Sequence, residues 1–157
     1  MRWSMTGVGT LILKVNGSFK TVIARPSDTL VDVVRGQLQL TGAKPACETG
    51  DCGACTLLVD GLPVKACLVL AVEAVGHEIT TIEGLPLVPM QKAFVDKFAT
   101  SCGYCIPGFI LNAHALAVHH PDADDAVIAE WLDSNLCRCM SYSEIRDAVR
   151  SVLAGEY

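Results

Sequence analysis

Alternating apolar and polar positions near the start of the chain predict paired strands. Residues 10–15 and 19–24 alternate or are rich in β-branched side chains, and they flank Asn16-Gly17. An Asn-Gly pair between two such runs favours a hairpin with a type I′ turn. Residues 56–59 and 62–64 surround Asp60-Gly61 in the same way, and residues 78–82 read as one further strand. The pattern therefore predicts two hairpins and a last strand within the first half of the chain.

Between the two hairpins the apolar spacing changes from two residues to that of a helix. Thr29 and Asp32 have the spacing of a capping box. Apolar side chains then recur at helical intervals, at Leu30, Val33, Val34 and Leu38. One helix crossing a sheet made of hairpins predicts a β-grasp arrangement, of the kind found in plant-type ferredoxins, for residues 1–83.

The second half of the chain has helical periodicity. Gly84, Pro86 and Pro89 interrupt the pattern, and residues 90–99, 106–119, 125–132 and 142–153 are predicted helices. Pro107 suits the first turn of its helix, and Ser141 with Glu144 has capping-box spacing. The predicted fold is α+β, with an N-terminal β-grasp domain over residues 1–83 and a C-terminal four-helix domain over residues 84–157.

All eight cysteines fall into two groups of four, here called the first and second quartets. The first quartet has the spacing C-x4-C-x2-C-x11-C and the second has C-x2-C-x31-C-x-C. The run C-x4-C-x2-C is typical of plant-type ferredoxins, in which thiolates bind a [2Fe–2S] cluster. Each quartet is therefore predicted to bind one [2Fe–2S] cluster: Cys47, Cys52, Cys55 and Cys67 for the first, and Cys102, Cys105, Cys137 and Cys139 for the second.

Disulfides and zinc are the alternatives to iron–sulfur clusters. Disulfides are typical of small secreted domains, whereas 157 residues can bury a core without cross-links. Structural zinc is the stronger alternative, but it is usually bound by two short-spaced cysteine pairs rather than by an x4-x2 loop. Gly50 and Gly53 favour the cluster, because they let backbone N–H groups approach sulfur closely.

Composition indicates a protein with a covered surface. Hydrophobic residues make up 51 % of the chain, charged residues 18 %, and mean hydropathy is +0.40, which suggests a protein partner. The formal net charge of −5 argues against nucleic-acid binding. No apolar run reaches the roughly 18 residues of a membrane span. Residues 1–10 lack the apolar stretch of a secretory signal, so a reducing, cytoplasmic location is expected.

Residues 47–55 with Cys67, the run CGYCIPG at 102–108 and the run NLCRC at 135–139 carry a resemblance over essentially the whole chain. Together they resemble the iron–sulfur subunit of the xanthine dehydrogenase family of molybdenum hydroxylases. The resemblance implies the two-domain fold predicted above. It also implies a large partner subunit with a molybdopterin cofactor and a medium partner subunit that binds FAD.

The family resemblance implies that this chain relays single electrons between its partners and performs no substrate chemistry, so no catalytic residue is expected in it. The second quartet would lie nearest the pterin, with Cys139 closest, and the first quartet would face the flavin. Two departures from the family pattern occur near the second quartet. Ser101 stands where a pterin-contacting Gln is common, and Met140-Ser141 stands where Thr-Gly is usual.

Other residues that resemble ligands or electron carriers have plainer interpretations. His77, His114, His119 and His120 are expected at the surface or an interface, because each quartet already has four thiolates. Arg138 is expected either to support the cluster or a partner carboxylate, or to form a salt bridge at a helix start. Trp131 and Tyr104 either line an electron path or pack in the core. A freestanding ferredoxin and a zinc-stabilised interaction module remain alternative functions.

Overall fold

The computed structural model describes residues 7–157, which form a mixed α+β fold. Residues 1–6, part of the segment considered above for a secretory signal, lie outside the described residues. The first predicted hairpin is confirmed: β1 spans Gly9–Val15 and pairs antiparallel with β2, Ser18–Ala24. Asn16 and Gly17 have φ values of 51° and 74°. A type I′ turn requires positive φ at both central residues, so the turn chemistry predicts the observed loop.

The helix and the second hairpin also follow the prediction. Helix α1 spans Leu30–Gly36 and begins at a complete capping box of Thr29 and Asp32. Strands β3, Thr56–Val59, and β4, Leu62–Lys65, pair across Asp60 and Gly61, which both have positive φ. With β5, Glu78–Thr80, the strands form one sheet in the order β2-β1-β5-β3-β4. In this order β2 and β4 are the two edge strands.

Two predicted boundaries were wrong by a few residues, and each has an identifiable cause. Strand β5 ends at Thr80, because the backbone N–H of Thr81 donates to Asn16 Oδ1 at 2.9 Å instead of continuing the sheet. A short 3₁₀ helix, Ile82–Gly84, follows. Helix α2 spans Pro89–Asp96 rather than continuing to residue 99, and Phe98 has a φ of 56°, which is incompatible with a right-handed helix.

The other three helices have the predicted bounds. They are α3, Ile106–His119, α4, Asp125–Leu132, and α5, Tyr142–Leu153. Asp124 caps α4 by accepting from two backbone N–H groups, and Ser141 caps α5 by accepting from Ser143 N. These side chains satisfy N–H groups that have no partner within the helix.

Buried apolar side chains form two clusters. The first lies between the sheet and α1 and includes Leu111 and Ala115 of α3. The second fills the space among α2, α3, α4 and α5. Because α3 contributes to both clusters, it joins the sheet to the helices. No helix within residues 7–157 is long and apolar enough to cross a membrane.

Candidate metal centres

The loop of the first quartet wraps around the sulfur of Cys47. Gly50 and Gly53 have φ values of 87° and 70°, so the chain reverses at both. The backbone N–H groups of Thr49 and Cys52 each donate to Cys47 Sγ at 3.4 Å. This is the close approach of backbone donors to sulfur that an anionic cluster requires.

Hydrogen bonds from the loop lower the pKa of Cys47 to about 6. The side chain of Thr49 makes the largest contribution, followed by the N–H groups of Cys52 and Thr49. The Thr49 hydroxyl also lies 2.6 Å from Asp51 Oδ2, so its one proton has two possible acceptors. The two backbone N–H groups donate to the sulfur as well, and they favour the thiolate whichever acceptor the hydroxyl takes.

Cys55 and Cys67 form the inner half of the first quartet. Both are buried, and their thiols are hydrogen-bonded to each other. Burial raises the pKa of Cys55 to about 11; the backbone N–H of Cys67 opposes this shift, and the Cys67 thiol adds to it. The first quartet therefore consists of two pairs, with Cys47 beside Cys52 and Cys55 beside Cys67.

The second quartet lies at the starts of two helices, as predicted. Cys105 is the N-cap of α3, and Cys139 lies two residues before Ser141, the N-cap of α5. The backbone N–H of Met140 donates to Cys137 Sγ at 3.2 Å. Helix amino termini present free N–H groups and the positive end of the helix dipole, and both favour anionic sulfur.

The second quartet is also divided into two pairs. The Cys105 thiol is hydrogen-bonded to Cys137, and Cys102 is hydrogen-bonded to Cys139. Burial raises the pKa of Cys105 to about 12, whereas the N–H of Tyr104 lowers the pKa of Cys102. Cys102 and Cys139 are exposed and Cys105 is buried, so one pair faces outward and the other faces the core.

The chemistry of these donors fits [2Fe–2S] clusters. Such a cluster has four thiolate ligands, two on each of its irons, and each quartet provides two pairs. No three His, Cys, Asp or Glu side chains within residues 7–157 are grouped as ligands of a single metal ion. A cavity of about 210 Å³ adjoins all four thiols of the second quartet and also reaches Cys52. One cysteine of the first quartet therefore adjoins the same cavity as the whole second quartet.

Backbone contacts hold the two cysteine loops together. The N–H of Leu136 donates to the carbonyl of Cys52 at 2.9 Å, and Asn135 Nδ2 donates to the carbonyl of Gly53 at 2.9 Å. Asn135 is fully buried. A Cβ placed on Gly108 of α3 would also collide with the Gly53 carbonyl. Cys52 of the first quartet is thus one hydrogen bond from Leu136, the residue next to Cys137 of the second quartet.

Comparison with known proteins agrees with this geometry. Residues 81–150 match the family model of a [2Fe-2S] binding domain. One relative, from the nicotinate dehydrogenase of Pseudomonas putida, is 42 % identical over 145 residues, which cover 90 % of this chain and 92 % of that protein. Another, from the probable xanthine dehydrogenase of Bacillus subtilis, is 45 % identical, covering 88 % and 82 %. The chain belongs to the iron–sulfur subunits of the xanthine dehydrogenase family of molybdenum hydroxylases.

Solved structures of this family have the same fold. In the crystal structure of quinoline 2-oxidoreductase from Pseudomonas putida 86, a chain superposes with a TM-score of 0.90 at 34 % identity, covering 96 % of this chain and 95 % of that one. The aldehyde oxidoreductase of Desulfovibrio desulfuricans gives a TM-score of 0.87 at 39 % identity. There the match covers 94 % of this chain but 17 % of the other, so the iron–sulfur unit corresponds to one part of a longer polypeptide.

Three aromatic residues near the two cysteine quartets make specific hydrogen bonds or packing contacts. Tyr142 accepts from the N–H of Cys137 and donates to the carbonyl of Asn135, both at 3.1 Å. Tyr104 donates to the carbonyl of Pro45 at 2.7 Å, and the residue is 45 % exposed. Trp131 packs against both apolar clusters. Tyr142 was not singled out for this bond from the sequence, because the bond depends on the turn that precedes α5.

His77, His119 and His120 are exposed, as expected, whereas His114 is half-buried on α3. His77 bonds Asp60 at 2.5 Å, His119 lies 3.2 Å from the carbonyl of Gly61, and the ring of His120 contacts Trp131 edge-on. Arg138 is exposed beside the cavity of the second quartet. It forms none of the ion pairs found within residues 7–157, so the expected helix-start salt bridge is not present there.

Proposed function

We propose that this chain relays single electrons from a molybdopterin site on a large partner subunit, through two [2Fe–2S] clusters, to a flavin or another acceptor. The observation that carries the proposal is the arrangement of eight thiols as two separate quartets joined by the Leu136–Cys52 hydrogen bond. Its relatives include subunits of nicotinate and xanthine dehydrogenases. The chain is thus a subunit of an oxidoreductase, and substrate chemistry takes place on its partner.

The proposed ligands are the two quartets of cysteines predicted above. A [2Fe–2S] cluster accepts and releases one electron at a time when bound. The protein holds the sulfurs in pairs and directs N–H groups at Cys47 and Cys137. These donors stabilise negative charge on sulfur and so favour the reduced state. Burial of Cys55 and Cys105 keeps water away from the inner pair of each quartet.

The outward pair of the second quartet indicates the side where the large subunit binds. Cys102 and Cys139 are exposed, and they lie beside the exposed side chains of Tyr104 and Leu136. An apolar rim around exposed cluster ligands is suited to a protein partner rather than to water. We therefore propose that Cys139 lies nearest the pterin and that the first quartet faces the acceptor.

Residues 1–83 are proposed as a β-grasp domain and residues 84–157 as a four-helix domain. The sheet order, the single crossing helix and the second apolar cluster support this division. A large molybdopterin-binding subunit and a medium FAD-binding subunit are the proposed partners. A cytoplasmic location stays a prediction from the sequence.

The proposal is tested on the purified complex by iron and acid-labile sulfide content and by EPR of the reduced protein. We expect four irons and four sulfides per chain and two distinct EPR signals, as two [2Fe–2S] clusters require. Cys137→Ser should remove or alter one signal and spare the other. A colourless protein containing zinc would contradict the proposal, and purification as a free monomer would favour a freestanding ferredoxin instead.

A further inference from the structure

Lys65 places a positive charge at the junction of the two cysteine loops. It is the last residue of β4, two residues before Cys67, and it pairs across the sheet with Thr56. Its ammonium group donates to the carbonyl of Ser134, three residues before Cys137. That same carbonyl would lie 2.7 Å from a Cβ on Gly53. The ammonium group is therefore held between the loop of the first quartet and the approach to the second.

Lys65 forms no ion pair with a carboxylate among the residues that the structure describes. Its side chain is partly buried beside a cavity of about 270 Å³. Burial lowers its pKa, and the thiolates of Cys55 and Cys52, then those of Cys67 and Cys47, oppose that shift. All four thiolates of the first quartet thus interact electrostatically with this ammonium group.

A second partly buried lysine, Lys44, is close to the second quartet but has different charged groups around it. Its Nζ donates to the carbonyl of Gly42 at 3.0 Å and lies 5.7 Å from the centre of the Tyr104 ring. Burial and then Arg35 lower its pKa, while Glu83 and then Cys105 raise it. The carboxylate of Glu83 partly balances the charge of Lys44, whereas the anions that act on Lys65 are chiefly the four sulfurs of the first quartet, although Glu130 lines the same cavity.

We propose that Lys65 is a positioning residue for electron transfer, whose fixed positive charge stabilises the added electron on the cluster held by the first quartet. A [2Fe–2S] cluster bound by four thiolates is an anion that becomes more negative on reduction, so a nearby cation raises its reduction potential. The proposal rests on the two-cluster relay proposed above. A higher reduction potential at the first quartet favours electron transfer to it from the second quartet.

The test is an EPR-monitored redox titration of the intact complex, in wild type and in lysine variants. Lys65→Gln keeps a donor for the Ser134 carbonyl and removes the charge. We expect the ratio of reduced to oxidised first-quartet cluster at a fixed potential to fall about tenfold, equivalent to about 59 mV for a one-electron couple. Lys65→Arg should restore most of the ratio, because it keeps the charge.

Lys20 supplies a matched control. It is exposed on β2, at the opposite edge of the sheet from Lys65, so Lys20→Gln removes the same charge far from both quartets. We expect Lys20→Gln to change the ratio of reduced to oxidised cluster by no more than about twofold for either signal, since solvent screens an exposed charge at that distance. The signal altered by Cys137→Ser is assigned to the second quartet, and the other signal to the first.

Three results would overturn the proposal. The first is an unchanged first-quartet potential in Lys65→Gln, and the second is an equal shift of both signals. The third is loss of iron from Lys65→Gln, which would assign the side chain a purely structural role. Failure of the relay itself is distinguishable, because wild type would then lack two iron signals before any lysine is changed.

Discussion

The substitution Gly108→Ala would place a methyl group in steric conflict with the loop of the first quartet. Gly108 lies in the first turn of α3, and a Cβ there would approach the carbonyl of Gly53 well inside the 3.0 Å limit of real contacts. It would also lie 3.0 Å from Asn135 Nδ2. Gly36, in the last turn of α1, is the matched control, because a Cβ there meets nothing within 4 Å.

The size of the effect follows from how tightly the Gly53 carbonyl is held. It accepts from Thr56 N at 3.1 Å, Thr56 Oγ1 at 2.7 Å and Asn135 Nδ2 at 2.9 Å. Overpacking costs about 1–3 kcal/mol, and moving the carbonyl away weakens at least one hydrogen bond worth about 1 kcal/mol. Alanine gains up to about 1 kcal/mol of helix propensity at either site. The two variants should therefore differ in free energy of unfolding by about 2–4 kcal/mol.

Thermal unfolding of the complex, followed by the visible absorption of the clusters, measures this difference. For a chain of this size 1 kcal/mol corresponds to about 2–4 °C, so Gly108→Ala should melt roughly 5–15 °C below Gly36→Ala. Iron of the first quartet should be lost before that of the second, because the displaced loop carries Cys52 and Cys55. Equal melting temperatures for the two variants would refute the close packing of α3 on this loop.

Three further substitutions test polar side chains in the second half of the chain. Asn135→Ala should cost about 0.5–1.5 kcal/mol, because it removes one of the three donors to the Gly53 carbonyl, and chelator challenge should remove first-quartet iron faster. Asn112→Ala, which loses a 2.6 Å bond to the carbonyl of Trp131, should destabilise the chain without that selective loss. Burial lowers the pKa of His114 below its ordinary 6.5, so the folded state binds a proton at this imidazole less readily than the unfolded state does. The free energy of unfolding should therefore fall as the pH drops below about 6.5, until the pH passes the lowered pKa of the folded state. Denaturant unfolding at several pH values should show less acid destabilisation for His114→Gln than for wild type, and parallel curves would contradict this.

The elements that the sequence predicted correctly are those encoded by neighbouring residues. Asn16-Gly17 and Asp60-Gly61 specify hairpins because their positive φ values match the turn. Thr29 specifies the start of α1 through its bond to Asp32. At one of the two wrong boundaries a distant partner was decisive: β5 stops at Thr80 because Thr81 bonds the turn at Asn16, 65 residues away.

Sequence spacing alone indicated two cysteine quartets, because ligands of a compact cluster recur at short, characteristic intervals. It could not indicate which thiols lie side by side within each quartet. Nor could it single out Asn135, Gly108 or Lys65, whose importance comes from atoms far away in the chain. Asn135 and Gly53 are 82 residues apart, yet they share a buried hydrogen bond.

The amino-acid sequence thus determined the local elements, the number of quartets and the family, since turn, cap and ligand patterns are short-range. Tertiary structure decided how the two quartets meet: through the Leu136–Cys52 hydrogen bond and under the charge of Lys65. The physical reason is that these contacts form only when α3 packs against the sheet and brings together two loops that no local pattern relates.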